Sequence, residues 1–329
     1  PVMPNIPGIN LPGVINSDRL LAVPTWNYDR IVIMGGGVIG VEFATIFQAL
    51  CSKVTIVEKG PHLLGPMDEE VSEALKEQLV KKGITVYCNA MVEEIQREEG
   101  LVCTVRHLLT DETTQIKTNQ VVVAVGRAPY TEGLLGEDMI LQIEHGRPVV
   151  NADFETSEPG IYAIGDVSAK TQLAHVAMAQ ATYVIENLAG KPHTIRLEAV
   201  PNGMFVSLPI VPSCIYTEPE IATVGLTEAK AGELGMKVRC GVYDMGENGK
   251  SIIAREEHGF IRLIFEAYSN TIVGAQMMCP RATDMIGEMA TAIANGLTAE
   301  QLSLAMRAHP TSSEGIAAAI EDAMRQNEK

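Results

Sequence analysis

The chain predicts an α/β protein: a Rossmann-like unit with an inserted antiparallel meander, then a C-terminal α+β domain. Three observations carry this. Short apolar runs alternate with helix-length periodic segments through the first part of the chain, the pattern of a parallel sheet with crossover helices. A glycine-rich turn, Gly35-Gly-Gly-Val-Ile-Gly40, sits where an early strand meets a helix. Beyond Ser213 the order changes to a run of strands closed by a block of helices, the signature of a separate α+β domain. With 329 residues, 46% of them hydrophobic and 20% charged, the chain can bury more than one core.

In order, residues 1–25 read as a Pro- and Gly-rich connector, and the first strong strand signal begins at Trp26. Residues 31–34 form an apolar strand, 41–50 a helix and 53–58 a second strand. Helical periodicity with many acidic positions covers 68–82, and a strand follows at 84–87. Residues 92–107 and 114–117 look like antiparallel ribbons, and 120–125 is an apolar strand closing on Gly126-Arg127. Gly146-Arg-Pro marks a change of segment. Strand-like runs at 149–150 and 160–166 precede a helix over 173–188, ended by Gly190, and 191–212 reads as a linker. Strands are expected at 213–217, 221–224, 237–243, 260–265 and 271–278, and helices near 281–295, 298–306 and 313–325. The domains expected are thus 1–25, 26–146, 147–212 and 213–329.

The formal charge of -16 argues against nucleic acid and anionic membrane surfaces, because phosphate binding needs a basic footprint. There is no apolar run of membrane-spanning length and no secretory leader pattern. The six cysteines, at 51, 88, 103, 214, 240 and 279, stand singly, with no CxxC or CxxxxC. That usage fits reduced thiols in a cytoplasmic compartment. No His, Cys and Asp cluster has metal-ligand spacing, so no metal is expected.

Gly35-x-Gly37-x-x-Gly40 follows a strand, opens a helix, and is followed after the next strand by Glu58. This context makes it a dinucleotide fingerprint. Gly35 allows the turn, Gly37 lets backbone approach the pyrophosphate, and Gly40 lets helix and strand pack closely. The helix N-terminus supplies N–H groups to the phosphates. Glu58 should accept hydrogen bonds from the adenosine ribose and repel a 2'-phosphate, with only Lys59 beside it, so the reading is NAD over NADP. Glu42 either complements the helix dipole or faces the nicotinamide end. Gly126, at a strand's C-terminal end, lies where α/β sheets present backbone to ligands, while Arg127 reads as a nearby contact or an ion-pair residue.

Asp166 ends an apolar run in Gly165-Asp166 and reads either as a polyol acceptor or as an Asx turn. His175, next to Ala174 at a helix start, reads as a packed or capping residue. Near the C-terminus, Pro310 biases His309 out of helix and should start the next helix just after itself. Thr311-x-x-Glu314 matches a capping box. The other reading sets Glu314 against one nitrogen of His309, fixing its tautomer and raising the basicity of the other, as a proton-transfer pair requires.

Four stretches together, residues 33–42, 162–166, 216–228 and Ala308-His-Pro-Thr-Ser-Ser-Glu314, resemble the pyridine nucleotide–disulfide oxidoreductases. Within that family they are most similar to the members that oxidise dihydrolipoyl groups with NAD+. The resemblance implies FAD as a second cofactor, with Asp166 on the ribityl chain and the Ala174-His175 helix start near the isoalloxazine. It places Glu42 and Gly126 at the nicotinamide and its ribose. It makes His309 the base for a dithiol, oriented by Glu314 and acting across a homodimer built mainly from 213–329. Partners implied are dihydrolipoyl groups of an acyltransferase or carrier protein. The family's first glycine fingerprint and its CxxxxC disulfide are not in this sequence. The expectation is therefore that 1–25 is the tail of a FAD domain, that FAD is absent or weakly held, and that the chain is inactive alone. A sister reductase acting on glutathione, or a non-catalytic NAD-binding, dimerising fragment, are the alternatives.

Overall fold

The computed structural model describes residues 1–22, 28–136, 139–169, 171–195, 198–199, 208–256 and 258–326. Trp26, expected to open the first strand, lies outside the described residues. The first unit runs β1 (Val14–Asn16), α1 (Ser17–Ala22), β2 (Arg30–Met34), α2 (Val38–Ala49), β3 (Lys53–Val57), α3 (Glu69–Lys81) and β4 (Thr85–Tyr87). It continues through β5 (Ala90–Glu98), β6 (Gly100–His107), β7 (Thr113–Thr118) and β8 (Gln120–Val123). Five of these strands make one parallel sheet in the order β1-β8-β2-β3-β4, and β5-β6-β7 form the antiparallel meander.

Alternation of side chains along each strand decides what covers the sheet. Ile31, Ile33 and Val122 face α2 and α3, packing against Val41, Phe47, Leu75 and Leu79. Val32, Met34, Val121 and Val123 face the meander, against Val92, Ile95, Leu101 and Val105. Both faces are apolar because both are covered.

The central segment holds a short hairpin, β9 (Ile143–Glu144) and β10 (Arg147–Pro148), a 3₁₀ turn at Gly165–Val167, and α4 (Ala174–Leu188). Gln180 of α4, buried, accepts the Gly165 N–H at 2.7 Å and ties that turn to the helix. A strand pair follows, β11 (Glu198–Ala199) with β12 (Leu208–Pro209). The C-terminal domain comprises β13 (Ser213–Ile215), β14 (Ile221–Gly225), α5 (Glu228–Glu233), β15 (Val238–Asp244), α6 (Gly249–Ala254), β16 (Phe260–Glu266), β17 (Ile272–Met278), α7 (Ala282–Ala294), α8 (Ala299–Ser303) and α9 (Glu314–Arg325). Its antiparallel sheet, β13-β14-β17-β16-β15, packs one face on α7, α8 and α9. From the same sheet Ile215, Ile221 and Met278 enter the core of α2 and α3, so that helix layer lies between two sheets.

The structure departs from the sequence reading at several elements. Residues 14–16, read as connector, are an edge strand, with Val14 opposite Val121. Residues 149–150 form no strand; Val149 only donates to the Gln142 carbonyl at 2.9 Å. Residues 160–166 make one isolated bridge, Glu155 with Tyr162, because Gly160 (φ +81) and Gly165 (φ +67) turn the chain at both ends. The expected helix over 298–306 stops at Ser303, and the last helix starts at Glu314, not just after Pro310. The short helices α1, α5 and α6 were not anticipated.

Candidate functional site

A cleft of about 690 Å³ opens along the C-terminal edge of the parallel sheet. Gly35, Gly37, Glu58 and Gly126, all singled out from sequence, line it together, joined by Val38, Ile39, Lys59, Gly65 and Arg127. Each glycine has a separate steric reason. Gly35 has φ +105, and a Cβ there would lie 2.4 Å from the Ala124 carbonyl oxygen. At Gly40 a Cβ would lie 2.0 Å from the Gly35 oxygen, so the helix can approach its own turn only without a side chain. At Gly37 a Cβ would meet no atom of the described residues within 4 Å. Gly37 is also the N-cap of α2 and brings no capping side chain. The helix therefore presents first-turn N–H groups beside an open cradle, the arrangement that accepts a phosphate.

Gly36, which the spacing rule passes over, proves equally constrained. Its N–H donates to Glu58 Oε2 at 2.5 Å, its carbonyl accepts Leu64 N–H at 2.9 Å, and a Cβ would lie 2.5 Å from Leu63 Cδ2. The other Glu58 oxygen accepts Gly60 N–H at 2.5 Å. Glu58 is thus clamped at the cleft by both oxygens, with lone pairs left for a further donor. Arg127 pairs with Asp18 of α1 at 3.2 Å. Pro4, Ile6 and Gln172, which no sequence signal marked, also border the cleft, as does Leu173 at the expected helix start. Val2 N–H reaches the Gly126 carbonyl at 2.8 Å, laying the first residues across that end.

Glu42 is not among the residues that line the cleft. Its carboxylate accepts Tyr216 N–H at 3.0 Å, joining α2 to the C-terminal domain, and burial pushes its pKa up. Asp166 is exposed within the 3₁₀ turn, which Arg147 fastens by donating to the Asp166 and Ala169 carbonyls at 2.9 and 2.5 Å. Ala174 and His175 begin α4 and are exposed; His175 donates Nε2–H to the Pro212 carbonyl at 2.9 Å.

His309 and Glu314 do come together. His309 Nδ1 lies 2.9 Å from Glu314 Oε1, and Glu314 Oε2 accepts Thr311 N–H at 2.8 Å. Glu314 thus meets His309 with one oxygen and the Thr311 N–H with the other, but the helix begins at Glu314 with Ser313 as its N-cap, so the capping box read from the sequence is not formed. The Thr311 hydroxyl donates to the Ala308 carbonyl at 2.7 Å and lies 2.8 Å from the Ser313 hydroxyl. A carboxylate can only accept, so Nδ1 carries the proton and Nε2 keeps its lone pair on a ring 77% exposed. The Thr311 N–H, with His309 second, holds the Glu314 pKa below the ordinary carboxylate range. The turn is tied into the domain: Asn248 Nδ2 donates to the Thr311 carbonyl at 3.2 Å, Ser312 is buried, and a Cβ at Gly315 would lie 2.9–3.0 Å from Ile261, Met245 and Tyr243.

The thiols point the other way. Burial pushes Cys103, Cys240 and Cys279 up to about 12 and raises Cys88 and Cys214. A redox thiol needs the reverse shift, toward the thiolate.

Comparison with known proteins bears on both sites. Residues 1–181 match the model of the pyridine nucleotide-disulphide oxidoreductases, and 211–320 match the dimerisation domain of the same family. A curated dihydrolipoyl dehydrogenase of Chlorobaculum tepidum is 35% identical over 322 residues, covering 97% of this chain and 66% of that protein. One from Geobacillus stearothermophilus is 33% identical over 323 residues, covering 96% and 66%. Among solved structures, the HOCl-induced flavoprotein disulfide reductase RclA of Escherichia coli aligns with TM-score 0.85 at 26% identity, covering 99% of this chain and 71% of that one. The chain thus spans 66% of the length of these curated relatives.

Proposed function

Since the chain belongs to the pyridine nucleotide-disulphide oxidoreductases, which are flavoenzymes, we propose that it provides the NAD pocket and the proton-accepting base of a dihydrolipoyl dehydrogenase. The reaction is oxidation of dihydrolipoyl groups, carried on an acyltransferase or carrier protein, with NAD+ as final acceptor, in the cytoplasm. The observation that carries this reading is the His309–Glu314 pair, oriented on one nitrogen and exposed on the other.

The cleft suits NAD. The turn from Gly35 to Gly40 and the start of α2 would hold the pyrophosphate, Glu58 the adenosine ribose hydroxyls, and the Gly126 edge the nicotinamide side. Asp166 and the Ala174-His175 start of α4, both exposed, would hold part of FAD. When bound, these two cofactors supply the electron relay and the hydride acceptor. The chain's own chemistry is proton handling. His309 Nε2 takes the proton of a substrate thiol, and the resulting imidazolium stays paired with the Glu314 carboxylate. The resulting thiolate is the species able to attack a disulfide. Because the six cysteines stand singly and all are free, the disulfide attacked is not one of the chain's own. Leu304 (86% exposed) and Met306 (98% exposed) stand just ahead of His309, an apolar surface that suits a homodimer through the C-terminal domain.

Titrating the purified chain with NADH and NADPH tests the pocket: NADH should bind more tightly, and equal or reversed affinities would overturn the Glu58 assignment. The chain alone should not oxidise dihydrolipoamide. Fused behind the amino-terminal third of a dihydrolipoyl dehydrogenase relative it should do so, and His309→Gln should then lower turnover by about 10²–10⁴-fold without moving NADH affinity. A variant that retains turnover removes His309 as the base. A sister disulfide reductase is the second reading, favoured by the likeness to RclA; dihydrolipoamide against glutathione in the same fusion separates the two.

A further inference from the structure

Gln276 occupies an unusual place for an amide. It lies on β17, the middle strand of the C-terminal sheet, opposite Thr223 on one side and Arg262 on the other, and is only 2% exposed. Its Nε2 donates to Asp68 Oδ2 at 2.5 Å, across the boundary between the two domains, while its Oε1 has no partner among the described residues. Leaving a buried carbonyl oxygen without a partner is unfavourable, and an apolar side chain of similar shape would avoid that penalty. Packing alone therefore does not account for an amide here.

Asp68 is the N-cap of α3, yet its side chain accepts no hydrogen bond from that helix. It is also the last residue of the loop that starts after Glu58. That loop carries Lys59 and Gly65 into the cleft, donates Gly60 N–H to Glu58, and donates Leu64 N–H to the Gly36 carbonyl. One end of the loop is thus fastened to the glycine turn and the other to Gln276. Beside it, Arg262 pairs with Glu70 of α3 at 2.6 Å and is 13% exposed, so the start of α3 is held at two points by adjacent strands.

We propose that Gln276, a residue of the C-terminal domain, is a positioning residue for the dinucleotide site. By drawing Asp68 away from its own helix it sets the loop of residues 59–67 against the Gly36–Glu58 clamp, and so shapes the adenosine end of the cleft. The inference rests on the NAD reading above.

The test compares Gln276→Leu with the double variant Asp68→Asn/Gln276→Glu. The double variant restores the bond with donor and acceptor exchanged, and its new carboxylate lies beside Arg262. Three measurements are made on the whole chain: affinity for NADH and for ADP-ribose, the thermal midpoint, and hydrogen exchange over residues 59–67. Gln276→Leu should weaken NADH and ADP-ribose alike by about fivefold, equivalent to about 1 kcal/mol. It should speed exchange in the loop and leave the midpoint little changed, since loss of the bond to Asp68 and removal of an unpaired buried oxygen oppose each other. The double variant should recover affinity to within about twofold. The inference is overturned if Gln276→Leu binds NADH as the parent chain does, or if its exchange over 59–67 is unchanged. It is equally overturned if affinity and midpoint fall together and the double variant recovers neither. A parent chain that binds no NADH overturns the pocket reading itself, while the exchange result still reports whether Gln276 holds the loop.

Discussion

Changing Glu58 to Gln replaces one oxygen by an NH₂ group and leaves the outline of the side chain intact. In the parent chain each oxygen accepts one backbone N–H, from Gly36 and from Gly60, both at 2.5 Å. A carboxamide offers one acceptor, so in either flip its NH₂ faces a backbone donor. A hydrogen bond to a charged acceptor contributes about 1.5–3 kcal/mol. Partial exposure of this site takes the lower part of that range, so the loss is about 2 kcal/mol, or roughly 30-fold in the local opening equilibrium. Hydrogen exchange resolved to the amides of Gly36 and Gly60 measures it directly. Exchange at one or both should accelerate about 30-fold, while β17 in the C-terminal domain stays protected. NADH titration of the same variant should show weaker binding and a smaller preference over NADPH, because the charge facing a 2'-phosphate is gone. Unchanged exchange at both amides would refute the double clamp. Faster exchange with an unaltered NADH to NADPH ratio would refute the role given to Glu58.

Three further outcomes follow from the same geometry. Gly37→Ala should fold with the parent's thermal midpoint and lose NADH binding, since its Cβ enters only the open cradle, whereas Gly40→Ala should destabilise the chain by about 1–3 kcal/mol. A Gly37→Ala chain that binds NADH normally would mean the cleft is not a phosphate cradle. Under native conditions at pH 8, Cys103 and Cys279 should resist alkylation and exposed Cys51 should react first; mass spectrometry reads the order, and equal rates would contradict the burial argument. The depressed Glu314 pKa means that its ties to His309 and Thr311 contribute stability fully above the ordinary carboxylate range, and lose it as pH falls through the lowered value. An NMR titration of the Glu314 carboxyl should therefore midpoint below a free glutamate, and a midpoint at or above it would break the assignment.

What the sequence made legible was local. The strand at 31–34, the turn after it and Glu58 follow one another closely, and their periodicity and spacing carry their meaning without help from the rest of the chain. The same holds for His309 and Glu314, five residues apart. Spacing could not say that Glu314 would divide its oxygens between His309 and Thr311, because that depends on where the helix starts, at Glu314 and not just after Pro310. The edge strand at 14–16 was illegible for another reason: three residues show no period, and its partner strand lies far along the chain. Polar contacts across the domain boundary were least legible. Glu42 meets Tyr216 over a separation of 174 residues, and Gln276 meets Asp68 over 208. No pattern within either segment anticipates its partner. Glu42 shows the consequence, since one oxygen of its carboxylate ties α2 to the C-terminal domain, a contact that its spacing after the glycine turn does not suggest.

The core around α2 and α3 has a bearing on modularity. Family models part the chain between residues 181 and 211, as though the halves were interchangeable units. Ile215, Ile221 and Met278 nevertheless lie in the same core as Phe47, Leu75 and Leu79. Severing the halves would bare these three side chains, at about 1.5–3 kcal/mol each, and the helices they cover. Inheritance and folding therefore draw their boundaries in different places, and a shuffled or separately expressed half would carry a sticky face rather than a finished surface.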